Sequence, residues 1–250
     1  MENNTSRTAL ITGSYKGIGR SIALRLAHDG FNIVINYRST SSSVAAEKTA
    51  EECRALGVRA EAFRADVSVE SDCKALIDFT VSTLGSLDIL VNNAGTVSYG
   101  LLTRIKEEEY RRITESCQTS VFFMTKHAAK VMNKQKYGRI INIASMAGVN
   151  GFPGGFAYSA AKGAVIAMTK AASKELAAKN ITVNAIAPGM IATDMSDIVD
   201  GERTAQVLKN IGMGRYGLPD EVAGTASYLA SDDAAYTTGT VIEIHGSMIS

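Results

Sequence analysis

Short runs of β-branched and aliphatic residues alternate along the chain with longer stretches whose apolar positions recur at helical spacing. Runs at residues 8–11, 32–36, 58–63, 87–91, 139–143, 181–185 and 241–244 have the length and composition of strands. Between them, residues 18–28, 44–56, 69–84, 106–133, 158–179 and 221–230 carry apolar residues on one helical face. Seven strands separated by helices predict βα units, hence an α/β, doubly wound parallel sheet covered on both faces. No Pro/Gly/Ser linker divides the chain, and Ser39–Ser43 reads as a βα loop, so residues 1–250 are expected to form one domain. Residues 192–215 break the alternation. They are polar, hold Gly201, Gly212 and Gly214, and follow a strand, which fits a substrate lid; a short surface helix without a role is the plainer alternative.

Composition narrows the class. Of the 250 residues 46% are hydrophobic and 20% charged, a mix that buries a core. The 26 lysines and arginines against 25 aspartates and glutamates leave a net charge of +1, without the basic field of a nucleic-acid binder. Cys53, Cys73 and Cys117 are odd in number, and no Cys-x-x-Cys or His-x-x-x-His pair occurs. A disulfide framework or a metal site is not expected. No run of ~18 apolar residues predicts a membrane span, and residues 1–7 lack the apolar stretch of a secretion signal. The expected compartment is the cytoplasm.

The first strand runs into Thr12-Gly13-Ser14-Tyr15-Lys16-Gly17-Ile18-Gly19. A strand, a glycine turn and a helix start make a phosphate cradle, because backbone N–H groups approach the anion and the helix end adds partial positive charge. The spacing is G-x-x-x-G-x-G rather than the commoner G-x-G-x-x-G. The second strand ends Asn36-Tyr37-Arg38, without the carboxylate that bonds an NAD ribose. Lys16 and Arg38 instead favour the 2′-phosphate of NADP(H), unless Arg38 is simply a solvated charge. Asp66-Val67 follows the third strand. Asp66 either accepts from an adenine amino group or caps the next helix, and spacing favours the cap. Asn92-Asn93-Ala94-Gly95 ends the fourth strand, where amides tie strands together or contact a cofactor ribose.

Tyr158 and Lys162 lie four apart and so share a helix face. A phenol with a pKa of ~10 is a poor acid–base group at neutral pH, and a nearby ammonium is expected to lower it. Ser145 ends the fifth strand and offers a hydroxyl to a substrate carbonyl beside Tyr158. The alternative, two exposed helix residues, is countered by their place beyond the carboxyl end of a strand, the sheet edge that also carries the glycine cradle.

As a set, TGSYKGIG, Asp66-Val67, NNAG, Ser145, YSAAK and PGMIATDM resemble, in order and spacing, the short-chain dehydrogenases/reductases over essentially the whole chain. That resemblance implies a Rossmann-type sheet of seven mainly parallel strands, a nicotinamide dinucleotide and a homotetramer. It implies Tyr158 as proton donor, Lys162 on the nicotinamide ribose, Ser145 on the substrate oxygen and Asn93 on the cofactor. It also implies Pro188, Gly189 and Ile191 around the nicotinamide, and Thr193 towards the pyrophosphate. The stretches NYRS, SVFFMTKHA, GRIINIASMAGV, GRYGLPDEVA and YLASDDAAYTTG look most like bacterial β-ketoacyl-[acyl-carrier-protein] reductases. In that subgroup two basic positions dock the acidic carrier protein; Lys136 and Lys179 stand there, with ordinary surface charge as the alternative.

Three departures qualify the resemblance. Cys117 occupies the position of a relay asparagine, and a thiol cannot copy an amide, so a water compensates or turnover is slower. The tail reads IHGSM rather than a DGG-like ending, which bears on subunit packing or lid closure. Phe152 and Gly155 replace polar residues of the substrate loop, and an apolar Phe152 suits a different carbonyl compound. The expected activity is NADPH-dependent reduction of a carbonyl, chiefly 3-oxoacyl-[acyl-carrier-protein] in fatty acid synthesis. A reductase of a free ketone, sugar or alcohol, and a cofactor-binding scaffold that has lost catalysis, are the rival readings.

Overall fold

The computed structural model describes residues 7–193 and 207–248. Seven strands form one sheet: β1 (Thr8–Ile11), β2 (Asn32–Tyr37), β3 (Ala60–Arg64), β4 (Ile89–Asn92), β5 (Gly138–Ile143), β6 (Ile181–Pro188) and β7 (Val241–Ile244). Their order is β3-β2-β1-β4-β5-β6-β7, and every pairing is parallel. The order reverses between β1 and β4, which opens a crevice at the carboxyl ends of those strands.

The side-chain period of two explains the two cores. Ala9, Ile11, Ile33, Ile35, Ile89 and Val91 face one side of the sheet. There they meet α1 (Gly17–His28), α2 (Ser43–Arg54) and α8 (Pro219–Ala230) through Ile22, Leu26, Ala50, Val222 and Leu229. Leu10, Val34 and Leu90 face the other side. They meet α3 (Glu70–Leu84), α5 (Ser120–Gln135) and the end of α7 (Phe156–Leu176) through Leu76, Met124, Met132 and Leu176. Strands buried on both faces read as the near-continuous apolar runs seen in the sequence.

The expected long fourth helix is broken in two. α4 (Glu107–Thr114) passes through a π-turn at Glu115–Thr119 into α5, and buried Cys117 sits in that turn. A short α6 (Met146–Asn150) occupies what reads as loop, capped by Ser145, whose Oγ accepts from the Ala147 N–H at 3.1 Å. β3 starts two residues later than its apolar run and β6 extends to Pro188, a residue tolerated at a strand end. A buried amide ladder ties the middle of the sheet. Asn92 Nδ2 donates to Asn142 Oδ1 at 2.8 Å, and Asn142 Nδ2 donates to Thr169 Oγ1 on α7 at 2.8 Å.

The amino edge of the sheet carries a separate charge cluster. Buried Arg139 stacks on the Tyr137 ring, 4.5 Å from its centroid, and donates to the Gly138 carbonyl at 3.0 Å. Arg7 donates to the Tyr137 hydroxyl at 2.6 Å and to Asp232 at 2.9 Å. Cys53 and Cys73 are buried free thiols, which burial pushes up to about 12.

Candidate active site

The turn between β1 and α1 is shaped by close approach to the end of β4. Gly13 has φ +61°, and a Cβ there would lie 3.1 Å from Ala94 Cα. A Cβ on Gly19 would lie 2.4 Å from Asn93 Nδ2. Only glycine fits both positions. Thr12 Oγ1 accepts from the Asn93 and Ala94 N–H groups at 2.9 Å each, and Asn93 Nδ2 donates back to the Thr12 and Gly13 carbonyls. Buried Asn36 braces the turn from β2, its Oδ1 accepting from the Gly13 N–H at 3.1 Å. α1 then starts at Gly17 with no side-chain cap on its first N–H groups. A glycine turn held open this way, ahead of an uncapped helix start, fits the pyrophosphate of a dinucleotide.

Around this cradle lie most of the expected cofactor residues. Ser14 is buried, with its Oγ donating to the Ile11 carbonyl, and Tyr15 and Ile18 pack on the core. Lys16 and Arg38 are both exposed, at the starts of the segments after β1 and β2. Val67 is buried past β3. Asp66 does not cap α3, whose N-cap is Val69. Its carboxylate instead closes a tight turn, accepting from the Ser68 N–H at 3.0 Å and the Ser68 hydroxyl at 2.7 Å, because the helix begins four residues further on. Pro188 ends β6. Gly189 follows so close to His245 that a Cβ would lie 2.8 Å from the His245 Cβ, and Ile191 is buried beyond it. The Thr193 methyl would lie 3.7 Å from a Cβ on Gly17, which brings the far side of the crevice to the cradle. Within the expected lid, residues 194–206 lie outside the described residues.

Ser145, Tyr158 and Lys162 come together at the same edge. Tyr158 packs against Ile113, Cys117, Ala157 and Ala161. Ser145 Oγ accepts from the α6 cap with one lone pair and keeps its O–H proton to donate, and it hydrogen-bonds the Tyr158 hydroxyl. Lys162 is buried, and its Nζ donates to the Ile143 carbonyl at 2.6 Å. Nζ lies 5.8 Å from the Tyr158 ring centroid.

The expected downward shift of the phenol is corrected here. Burial pushes the Tyr158 hydroxyl above its ordinary value and Cys117 adds to this, while the Ser145 hydrogen bond opposes them. Lys162 spends its nearest donor on a backbone carbonyl, and burial in turn holds its ammonium below the ordinary lysine range.

Cys117 Sγ donates to the Thr96 carbonyl at 3.1 Å and accepts from the Thr96 N–H at 3.4 Å. A Cβ on Gly95 would lie 3.2 Å from that sulfur and 3.7 Å from Lys162 Nζ, so thiol, glycine and ammonium are neighbours. Phe152 lies over Gly155, where a Cβ would be 2.2 Å from its ring, and packs against Tyr99. Thr12, Asn36 and Tyr99 are absent from the residues expected from sequence. The first two show a signal, a hydroxyl or amide at the end of a buried strand that has no water to bond. Lys136 and Lys179 are exposed just before β5 and β6, at the amino edge, opposite Tyr158. Among the described residues no group of acidic, histidine and cysteine side chains has the makings of a metal site, and no helix is long and apolar enough to cross a membrane.

Comparisons with known proteins agree with the fold. A short-chain dehydrogenase family model described as Enoyl-(Acyl carrier protein) reductase matches residues 13–248. The 3-oxoacyl-[acyl-carrier-protein] reductase FabG of Staphylococcus aureus is 44% identical over 243 residues, 97% of this chain and 98% of that protein. The 3-oxoacyl-[acyl-carrier-protein] reductase of Synechocystis is 45% identical over 246 residues, 98% of each. A solved structure from Sinorhizobium meliloti, described as a candidate short-chain alcohol dehydrogenase, superposes with a TM-score of 0.92 at 34% identity, covering 97% of this chain and 96% of that one. Another from Agrobacterium tumefaciens, described as a candidate gluconate dehydrogenase, gives 0.91 at 35% identity, covering 97% and 95%. With its glycine cradle and its Ser145, Tyr158 and Lys162 on one edge of a seven-stranded parallel sheet, this chain belongs to the short-chain dehydrogenase/reductase family.

Proposed function

We propose that this chain is an NADPH-dependent oxidoreductase that reduces a carbonyl to a secondary alcohol, its main substrate being a 3-oxoacyl group on acyl carrier protein in fatty acid synthesis. The observation that carries the reading is the convergence of a proton donor, a hydroxyl and a buried ammonium on the edge that holds the dinucleotide cradle. The name shared by relatives 44–45% identical over nearly the whole chain supplies the substrate class.

The residues divide the work. Gly13 to Gly19 receive the pyrophosphate, and Lys16 and Arg38 receive the 2′-phosphate, which a carboxylate at the end of β2 would repel. Asn93, Ala94 and Gly95 line one side of the cofactor, Asp66 and Val67 the adenine end, and Pro188, Gly189, Ile191 and Thr193 the nicotinamide side. Held there, a reduced nicotinamide would supply the hydride that the carbonyl carbon accepts. Ser145 donates to the carbonyl oxygen as charge develops on it, a fixed donor worth a few kcal/mol. Tyr158 gives that oxygen its proton. A phenol held protonated by burial has the proton that reduction requires at neutral pH. Lys162, fixed by the Ile143 carbonyl, would bond the cofactor ribose with its remaining N–H groups.

Lys136 and Lys179 are proposed to attract the acidic carrier protein. At the amino edge they serve a catalytic cleft only on a second copy of the chain, so this role depends on the homotetramer implied by the family. One domain, a lid within residues 192–215 and a cytoplasmic place complete the reading.

The test follows NADPH oxidation with acetoacetyl thioesters of coenzyme A and of acyl carrier protein. Turnover of both, with a lower KM for the carrier form that Lys136→Glu with Lys179→Glu abolishes, is expected. No turnover of either thioester overturns the substrate. The solved neighbours described as alcohol and gluconate dehydrogenases favour the second reading, a free small-molecule substrate, which a panel of ketones and sugars tests. NADPH binding without single-turnover oxidation on any carbonyl would leave the scaffold reading.

A further inference from the structure

After β4 the chain does not pass directly to α4. It runs along the mouth of the cleft through Thr96–Leu101 and is pinned on both sides. Arg112 donates to Thr96 Oγ1 at 3.2 Å, Cys117 bonds the Thr96 backbone, and Ser98 donates to Glu109. On the other side the Gly100 N–H donates to the Gly154 carbonyl at 2.9 Å, and Gly100 pairs in parallel with Gly155. The segment is therefore a built platform between the π-turn and the loop that starts α7.

Tyr99 stands on this platform. Its ring meets the Phe152 ring at 5.8 Å between centroids, tilted by 55°. Phe152 is itself seated on Gly155, and Gly155 is the N-cap of the helix that presents Tyr158 one turn later. The aromatic pair thus overhangs the proton donor. Tyr99 is 57% exposed, yet burial, and then the neighbouring Tyr158 hydroxyl, push its own hydroxyl above the ordinary phenol value. The ring is thus shared between solvent and Phe152, and the Gly100–Gly155 pairing holds it beside the turn of helix that carries Tyr158.

We propose that Tyr99 is a specificity residue that donates a hydrogen bond to the second oxygen of a 1,3-dicarbonyl substrate, while Phe152 closes the other side of the gate. This deepens the reductase reading and rests on it. In a 3-oxoacyl ester or thioester, one methylene separates the carbonyl to be reduced from the second carbonyl. With the first oxygen between Ser145 and Tyr158, the second falls towards the neighbouring phenol. A simple ketone has no second oxygen and gains nothing from Tyr99, whereas a 1,3-dicarbonyl gains a hydrogen bond there that favours it over the ketone. The two rings accept the apolar linker on either side of the dicarbonyl and exclude water from it.

The experiment compares wild type and Tyr99→Phe on acetoacetyl-coenzyme A, on ethyl acetoacetate and on 2-hexanone, with NADPH binding measured by fluorescence. Wild type is expected to prefer ethyl acetoacetate to 2-hexanone at least tenfold in kcat/KM. Tyr99→Phe, which keeps the ring, is expected to lose roughly tenfold on both dicarbonyls, mainly in KM, with 2-hexanone turnover and NADPH affinity changed less than twofold. Equal wild-type rates on ethyl acetoacetate and 2-hexanone overturn the proposal. So does a Tyr99→Phe variant that keeps its dicarbonyl rates, or one that loses all three substrates together. Failure on the thioester alone, with ethyl acetoacetate behaving as expected, overturns the carrier-linked substrate but not the role of Tyr99. Failure on every dicarbonyl overturns both.

Discussion

Tyr158 is the proposed proton donor, and its surroundings set the pH at which it would work. Because burial raises the folded value of the phenol, the proton is retained through the ordinary phenol range near ~10. The expected profile for carbonyl reduction is flat from neutral pH into the alkaline range and falls only above it, whereas alcohol oxidation rises over the same interval. The stability linked to this group is fully present below the unfolded value and is lost as pH climbs through the folded one. A pH–rate profile of kcat with saturating NADPH checks this, and a falling limb near neutrality contradicts it. Tyr158→Phe removes the proton donor, so kcat falls by at least a hundredfold while NADPH affinity holds. Cys117→Asn gives Thr96 a full amide partner and raises kcat several-fold if the thiol limits turnover. Arg38→Asp raises the NADPH dissociation constant at least tenfold and spares NADH. That Tyr158 and Lys162 share one face is legible in sequence from their spacing of four, and Ser145 from its place just after a strand. The sign of the phenol shift is not, since it depends on what desolvates the hydroxyl and on Lys162 being drawn to the Ile143 carbonyl.

Helices and strands place these groups through a few contacts that tolerate little change. α6 crosses α7 so closely that a Cβ on Gly148 would lie 2.5 Å from the Lys162 carbonyl carbon. Gly148→Ala is expected to separate the two helices, costing about 1–3 kcal/mol in thermal unfolding and lowering kcat together with stability. Glu221 holds the entry to α8. It accepts from the Leu218 N–H at 2.7 Å and from Arg215 at 2.7 and 2.9 Å. Chiefly through Arg215, its carboxyl is held down to about 2. This contribution is present above the unfolded carboxyl value and is lost only as pH falls through about 2. Glu221→Gln is therefore expected to make residues 207–217 more open to proteolysis at neutral pH, with wild type matching it only in strong acid. The strands were legible because burial on both faces leaves apolar runs between glycine turns. The broken fourth helix was not. Residues 106–133 keep helical periodicity throughout, and the π-turn arises from the fit of Cys117 against Thr96, a contact distant in sequence. The contact of Tyr99 with Phe152 likewise follows from the pairing of Gly100 with Gly155, distant in sequence.

At the scale of the whole molecule, every side chain assigned to chemistry lies past the carboxyl end of a strand, and the Arg7, Tyr137, Arg139 and Asp232 cluster lies at the other edge. Asp232 is held below its ordinary value first by the hydrogen bond from Arg7. Asp232→Asn is expected to lower stability by about 1 kcal/mol, given the exposure of the pair, and to leave kcat and KM unchanged. Calorimetry beside steady-state kinetics checks the separation. A parallel sheet, whose strands all point one way, thus gives the protein two rims under independent selection. Variation at the exposed positions Tyr99, Leu101 and Phe156 can retune which compound is accepted without weakening the scaffold, and heat tolerance can be rebuilt around Arg7, Arg139 and Asp232 without altering turnover.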